Sequence, residues 1–233
     1  MDWKELERMV AKRSEIDPNH EDDAHYHDAR SKLNWDAPVD AMPENADVLL
    51  KFLARYDSGS RAIDSQQLQD VWLESVETLA ADLEDVTLEH LHVLEHVDRS
   101  KENVFCVGDV ISRMYEDVKA IQGVGTANAS RLLHLRFPAL FVMTDDVIKK
   151  FWEGGNLPAL FNISSARLFE PYGYAFIFLP AMSIQAVDAL MSCSLDEDIS
   201  VEEATKRLQG LGGEQGSIAK LVSDYYYAMT AAS

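Results

Sequence analysis

The chain has 233 residues, 47% of them hydrophobic, with 21 basic and 40 acidic residues and a formal charge of −19. This is too apolar for general disorder, and the length fits one large core or two small lobes that share one. No apolar run read from the sequence approaches the roughly 20 residues of a membrane helix. The charged start, Met1-Asp2-Trp3-Lys4-Glu5, is unlike a signal segment, so a cytoplasmic or nucleoid/nuclear location is expected, with neither secretion nor membrane.

Residues 1–43 read as an acidic arm with one short amphipathic helix near 2–13. Residues 1–47 hold 13 acidic and 6 basic side chains, and Ala37-Pro38 and Met42-Pro43 are expected to break any helix there. From Glu44 to the end, one helical domain (44–233) is expected. Leu49, Leu50, Phe52, Leu53 and Tyr56 share a helix face, which Asp57-Ser58-Gly59 should end. Residues 65–82 repeat the pattern with Leu68, Val71, Trp72, Val76 and Leu79. Thr87 looks like the N-cap of a helix through Leu88, Leu91, Val93 and Leu94. Residues 109–121 and 126–136 read as two helices joined by Gly123-Val124-Gly125, a hairpin spanning about 109–136. Further helices are expected from near Thr144, over 182–193, over 201–210 and around Ile218–Tyr225. Only Ala175-Phe176-Ile177-Phe178-Leu179 reads as a strand, and one strand makes no sheet, so the fold class is all-α.

Two helices joined by Gly-Val-Gly can turn tightly and leave no side chain over the start of the second helix. Its unpaired N–H groups and positive dipole end suit a phosphate. An ordinary turn between packed helices uses the same residues. Ile121-Gln122-Gly123-Val124-Gly125-Thr126-Ala127-Asn128-Ala129 resembles the hairpin of the helix-hairpin-helix DNA glycosylase superfamily. In that superfamily a catalytic aspartate follows some twenty residues later, at the start of the next helix. Val142-Met143-Thr144-Asp145-Asp146-Val147 falls there, and Asp145 takes the position of the aspartate. Leu133-His134 with Pro138-Ala139-Leu140-Phe141-Val142-Met143-Thr144-Asp145 is similar to a segment of uncharacterised bacterial members, with Thr144 where they carry tryptophan. Asp224-Tyr225-Tyr226 could match the Asp-x-Tyr helix that ends those members. The specific likeness covers about residues 104–153.

The resemblance implies a two-lobed helical fold, DNA as partner and Asp145 as the carboxylate of base excision. Gly123, Val124, Gly125 and Thr126 would hold the DNA backbone, with Lys119 and Arg131 beside them. Residues 119–150 carry Lys119, Arg131, Arg136, Lys149 and Lys150 against Asp145 and Asp146, so this segment is locally positive in an acidic chain, or simply a solvated helix surface. Lyase-competent members have a lysine two positions after the second hairpin glycine. Here that residue is Ala127, which implies a monofunctional N-glycosylase that removes a base without cutting the strand. The cluster cysteines of some members are absent, so no cofactor is implied. Thr144 and Asp145 are also good N-caps for an apolar helix. The alternative is a non-catalytic interaction or nucleic-acid-binding protein that keeps the fold.

Other groups read blandly. Cys106 and Cys193 lie far apart and outside paired motifs, so reduced thiols are expected. His20, His25 and His27 fit no metal motif, and His92 and His96, four apart on an expected helix, read as surface or packing residues. No metal site is expected. Trp152, Phe151, Tyr172, Tyr174 and Trp72 are the aromatic candidates for a base pocket.

Overall fold

A computed structural model describes residues 1–16, 21–56, 62–98, 104–153, 165–212 and 216–231. These residues are mostly helical. In chain order they form α1 (Trp3–Ile16), α2 (Glu21–Lys32), α3 (Pro38–Tyr56) and α4 (Ser65–Val71). The α4 axis continues through a π-helical turn, Trp72–Glu77, into Thr78–Ala80. A two-stranded antiparallel ribbon follows, β1 (His96–Asp98) with β2 (Val104–Cys106), in register His96↔Cys106 and Asp98↔Val104. Then come α5 (Val107–Ala120), α6 (Gly125–Arg136), α7 (Asp146–Glu153) and α8 (Ser165–Leu168). A continuous helical run, Pro171–Glu197, is α9. It is followed by α10 (Val201–Leu211) and α11 (Ile218–Ala231).

Four expectations are corrected. The acidic arm is helical and built into the core: α1 lies against α11 and α9, and Trp3, Leu6, Met9, Tyr26 and Met42 are all buried. Neither proline breaks α3. Pro38 starts the helix, where its missing N–H has no partner to lose. Pro43 removes only a bond to Val39, which is 72% exposed and can use water instead. The helix expected after Thr87 is a single 3₁₀ turn, Leu88–His90, and the chain then turns into the ribbon. The strand expected at 175–179 lies within a π-helical turn, Tyr174–Phe178, of α9. A five-residue apolar run has no period of its own, and packing on both sides made it a buried helix. Read as one helix, Pro171–Glu197 is long and apolar enough to cross a membrane by composition, and half of its most apolar window is buried within the protein. The expected helix end at 57–59 lies outside the described residues.

One buried histidine ties the first helices to the hairpin. His134, on α6, is fully buried. Its Nδ1 faces the carbonyl of Phe141, which can only accept, so Nδ1 carries the proton. Nε2 then accepts from the Tyr26 hydroxyl of α2 at 3.0 Å. Burial pushes the imidazole down to about 3, far below its ordinary 6.5, so it is neutral at neutral pH. The unfolded chain therefore binds a proton in this range that the folded chain refuses. The stability is complete above pH about 6.5 and is lost as pH falls toward 3, by up to ~1.4 kcal/mol per pH unit. Urea unfolding should show a falling midpoint from pH 6.5 to 4.5. His134→Asn, less stable at pH 7, should show a shallower fall over the same interval.

Candidate nucleic-acid interface and acidic site

The hairpin forms as its sequence requires. Gly123 and Gly125 both have positive φ, +86° and +66°, a conformation that costs side-chain-bearing residues. The Val124 N–H donates to the Ile121 carbonyl at 3.0 Å to close the turn. A Cβ at Gly123 would press on Ile63 at 3.2 Å, whereas one at Gly125 would meet nothing within 4 Å. The space over Gly125 is therefore open to an approaching group. No side chain caps α6 at Val124, and its first turn holds no acidic residue, so the leading N–H groups keep their positive end toward that space.

A cleft of about 490 Å³ opens beside this helix start. Its walls are Val124, Thr126, Ala127, Asn128 and Arg131 from the hairpin side, Thr144, Asp145, Asp146 and Lys149 from the start of α7, and Tyr56 with Phe169. Val124, Thr126, Arg131 and Asp145 are thus brought together. Lys119 is not: it is ion-paired with Glu170. Among the described residues lining this cleft, the aromatic ones are Tyr56 and Phe169. The five expected aromatics lie elsewhere. Trp72 and Tyr174 fill the core, Tyr172 is exposed on α9, and Phe151 and Trp152 pack on Tyr226. Tyr56 and Phe169 come from segments far from the hairpin in sequence, and no local pattern points to them.

Asp145 is half-buried and held from both sides. Its Oδ1 accepts the Ile148 N–H at 2.6 Å, so it caps α7. The residue before it is fixed to α6. The Thr144 N–H donates to Ser130 Oγ at 2.9 Å, and the two hydroxyl oxygens are 3.0 Å apart. Ser130 donates its single proton to the Ala127 carbonyl at 2.8 Å, so the Thr144 hydroxyl is the donor between them. On the other side, the Met143 N–H donates to Ser223 Oγ of α11 at 3.0 Å. The Arg131 guanidinium carbon is over the Tyr56 ring, 4.6 Å from its centroid, and Arg131 donates to Asn128 Oδ1 at 3.1 Å. Burial pushes the Tyr56 phenol up to about 12, so it is a neutral hydroxyl at physiological pH.

Beside the cleft lies a smaller, open pocket of about 140 Å³. It shares Tyr56, Arg131, Thr144 and Asp145 with the cleft and adds Arg13, Asp22, Asp224 and Tyr227. Its polar wall rests on a buried ion cluster. Lys220 Nζ donates to both oxygens of Asp224, at 2.7 and 2.6 Å, and to Asp23 at 3.0 Å. Burial opposes the charge on Lys220, but the two carboxylates overcome it and hold the ammonium above its usual range. Arg13 donates to Asp22 at 3.1 Å and stacks on Tyr227 at 4.5 Å. This wall comes from α1, α2 and α11, and sequence reasoning missed it apart from Asp224. An i, i+4 Lys220/Asp224 pair is its one local signal.

His92 and His96 do not share a helix, since His96 is in β1. His25 stacks on Phe52, and His20 lies outside the described residues. Among the described residues no group of three or more His, Cys, Asp or Glu side chains could hold a metal ion. Cys106 and Cys193 are free thiols. The chain matches no protein-family model, no curated protein and no solved structure in the comparisons made.

The buried cluster predicts a large stability effect. Lys220→Met leaves Asp224 buried without its cation and should cost ~3–5 kcal/mol in urea unfolding. Adding Asp224→Leu removes the stranded charge and should restore much of that loss, because Asp23 can turn toward water. A double variant no more stable than the single one would mean that the pair is not what the carboxylate depends on.

Proposed function

We propose that the protein binds DNA through the Gly123-Val124-Gly125 hairpin and is a monofunctional N-glycosylase of the helix-hairpin-helix type, with Asp145 as its carboxylate. One observation carries this reading. The uncapped start of α6, Ala127 and Asp145 line one cleft, so the positions that the resemblance assigns to backbone contact, to the lyase lysine and to the catalytic aspartate face the same space. A DNA phosphate would sit at the α6 N-terminus over Gly125. A nucleotide turned out of the stack would bring its sugar to Asp145. As the N-glycosidic bond lengthens, positive charge grows on the sugar, and a carboxylate there stabilises it and orients the attacking water. Ala127 offers no amine, so no Schiff base forms at that position and the strand stays uncut.

The second reading, a non-catalytic protein that uses the same hairpin for binding, is favoured by the cap bond from Ile148 to Asp145 and by the engagement of Lys119 with Glu170. Such a protein needs Asp145 only to start α7.

Binding of fluorescent duplex DNA near 50 and 200 mM salt tests the shared part. Affinity should fall roughly tenfold or more over that range, with a log–log slope of about one per phosphate contact. Gly125→Asn tolerates the positive φ but fills the open space, and should weaken binding about tenfold with the fold intact by circular dichroism. A panel of duplexes with single modified bases, treated with alkali to reveal abasic sites, tests the chemistry. Asp145→Asn should abolish base release and keep binding. Hairpin-dependent binding with no base release from any duplex leaves the non-catalytic reading. No binding at low salt sinks both.

A further inference from the structure

We propose that the substrate of the cleft is a nucleotide that is already unpaired, in single-stranded DNA or at a looped-out position, with its phosphate held by Lys149. The inference rests on the DNA reading and narrows it. Lys149 lies one turn after Asp145 on α7, and its backbone N–H donates to the Asp145 carbonyl at 2.9 Å. Its side chain is half-buried in the cleft wall. Among the described residues no carboxylate or other acceptor holds its ammonium, whereas Lys119 is ion-paired with Glu170 and Arg136 with Glu77. Arg131 lines the same cleft but already donates to Asn128. An ammonium without a counter-ion, one turn from the candidate carboxylate, suits the phosphate next to the sugar on which Asp145 would act.

The form of the strand follows from charge and size. The described lining of the cleft sets Arg131 and Lys149 against Asp145 and Asp146, so it has no net positive charge and can neutralise few phosphates. Outside the cleft the hairpin abuts α4. A Cβ at Gly123 would meet Ile63 at 3.2 Å, and the Gln122 N–H donates to Gln67 Oε1 at 3.4 Å. Asp64 and Asp70, at the two ends of α4, are exposed. Residues 62–98, to which this neighbour belongs, carry ten acidic residues and no lysine or arginine. Duplex DNA holds one charge per ~1.7 Å of axis, twice the density of a single strand, and its second backbone must cross surface outside the cleft. On the α4 side that surface repels it, and the whole chain adds a charge of −19. A single strand needs only the cleft. At about 490 Å³ the cleft is within the range of sites for one small ligand, about 300–1,000 Å³, and so takes one nucleotide. An intact duplex must also give up pairing and stacking to turn a base out. That cost is least where the base starts unpaired, and few phosphate contacts leave little to meet it.

Fluorescence anisotropy of the whole chain decides it, with one DNA sequence in three forms: single strand, duplex with a looped-out nucleotide, and perfect duplex, each near 50 and 200 mM salt. The first two forms should bind about tenfold tighter than the perfect duplex, or more. The single strand should show a log–log salt slope of about −1.4 to −2, from two or three phosphate contacts at ~0.7 each. Lys149→Gln should weaken single-strand binding about fivefold and make that slope shallower by ~0.7, and Lys149→Arg should restore both. Lys206→Gln, at an exposed lysine paired with Glu202, should change neither. A perfect duplex bound as tightly as the single strand, with Gly125→Asn weakening both, overturns this inference and leaves the DNA reading standing. A Lys149→Gln slope equal to that of the unaltered protein does the same. No binding of any form overturns both.

Discussion

The geometry of the cleft depends on one pair of stacked tyrosines. Tyr115 of α5 and Tyr174 of α9 lie face to face with centroids 4.2 Å apart, both fully buried. Each phenol is satisfied by a backbone carbonyl at 3.1 and 2.7 Å, Tyr115 by that of Thr126 and Tyr174 by that of Val142. Thr126 is in the first turn of α6, and Val142 is three residues before Asp145. The stack therefore fixes the hairpin and the acidic segment to the same rigid body. Burial holds both phenols far above their ordinary range, so they stay donors at any physiological pH. The Ser130–Thr144 contact then sets the last few ångströms between α6 and Asp145. Hydrogen bonds left unmade in such a place cost the full desolvation of the orphaned group, which is why the arrangement is held rather than loosely packed.

Asp145 is built into the start of α7. Its Oδ1 accepts the Ile148 N–H at 2.6 Å. That bond also orients the group at the positive end of the helix. The acidic excess is a more serious constraint. A charge of −19 repels DNA at long range, and only short-range contacts beside the cleft can offset it. Of the five basic residues of the locally positive segment, Arg131 and Lys149 line the cleft, while Arg136 is spent on Glu77 in a paired fork at 3.1 and 3.2 Å.

The hairpin was legible because its signal is local. Two glycines that both need positive φ, between two runs of 3.6-residue period, leave few other structures. The helices around it were legible for the same reason. What was missed depended on tertiary context. Pro43 reads as a break, yet it falls in the first two turns of α3, where the one bond it removes is to exposed Val39, open to solvent. The run at 175–179 was read as a strand because β-branched and aromatic residues favour one. Packing against α5 and α8 overrode that preference. Tyr56 and Phe169 reach the cleft from distant positions, which no local pattern shows.

The first 43 residues show why composition misled. They are acidic, and acidic segments with few β-branched residues read as solvated arms. Here the charge has partners at a distance: Asp23 meets Lys220 across 197 positions, and Asp22 meets Arg13 within the same wall. Tyr26 reaches His134 across 108. The N-terminal helices thus supply one side of the smaller pocket and one end of the hydrogen-bonded chain that holds α6. Removing them would take Asp23 from Lys220 and Tyr26 from His134. Their acidity is part of the site's construction: Asp23 of α2 joins Asp224 of α11 in holding the buried ammonium in its charged form, and Asp22 gives the pocket beside Asp145 a polar wall that an apolar arm could not provide.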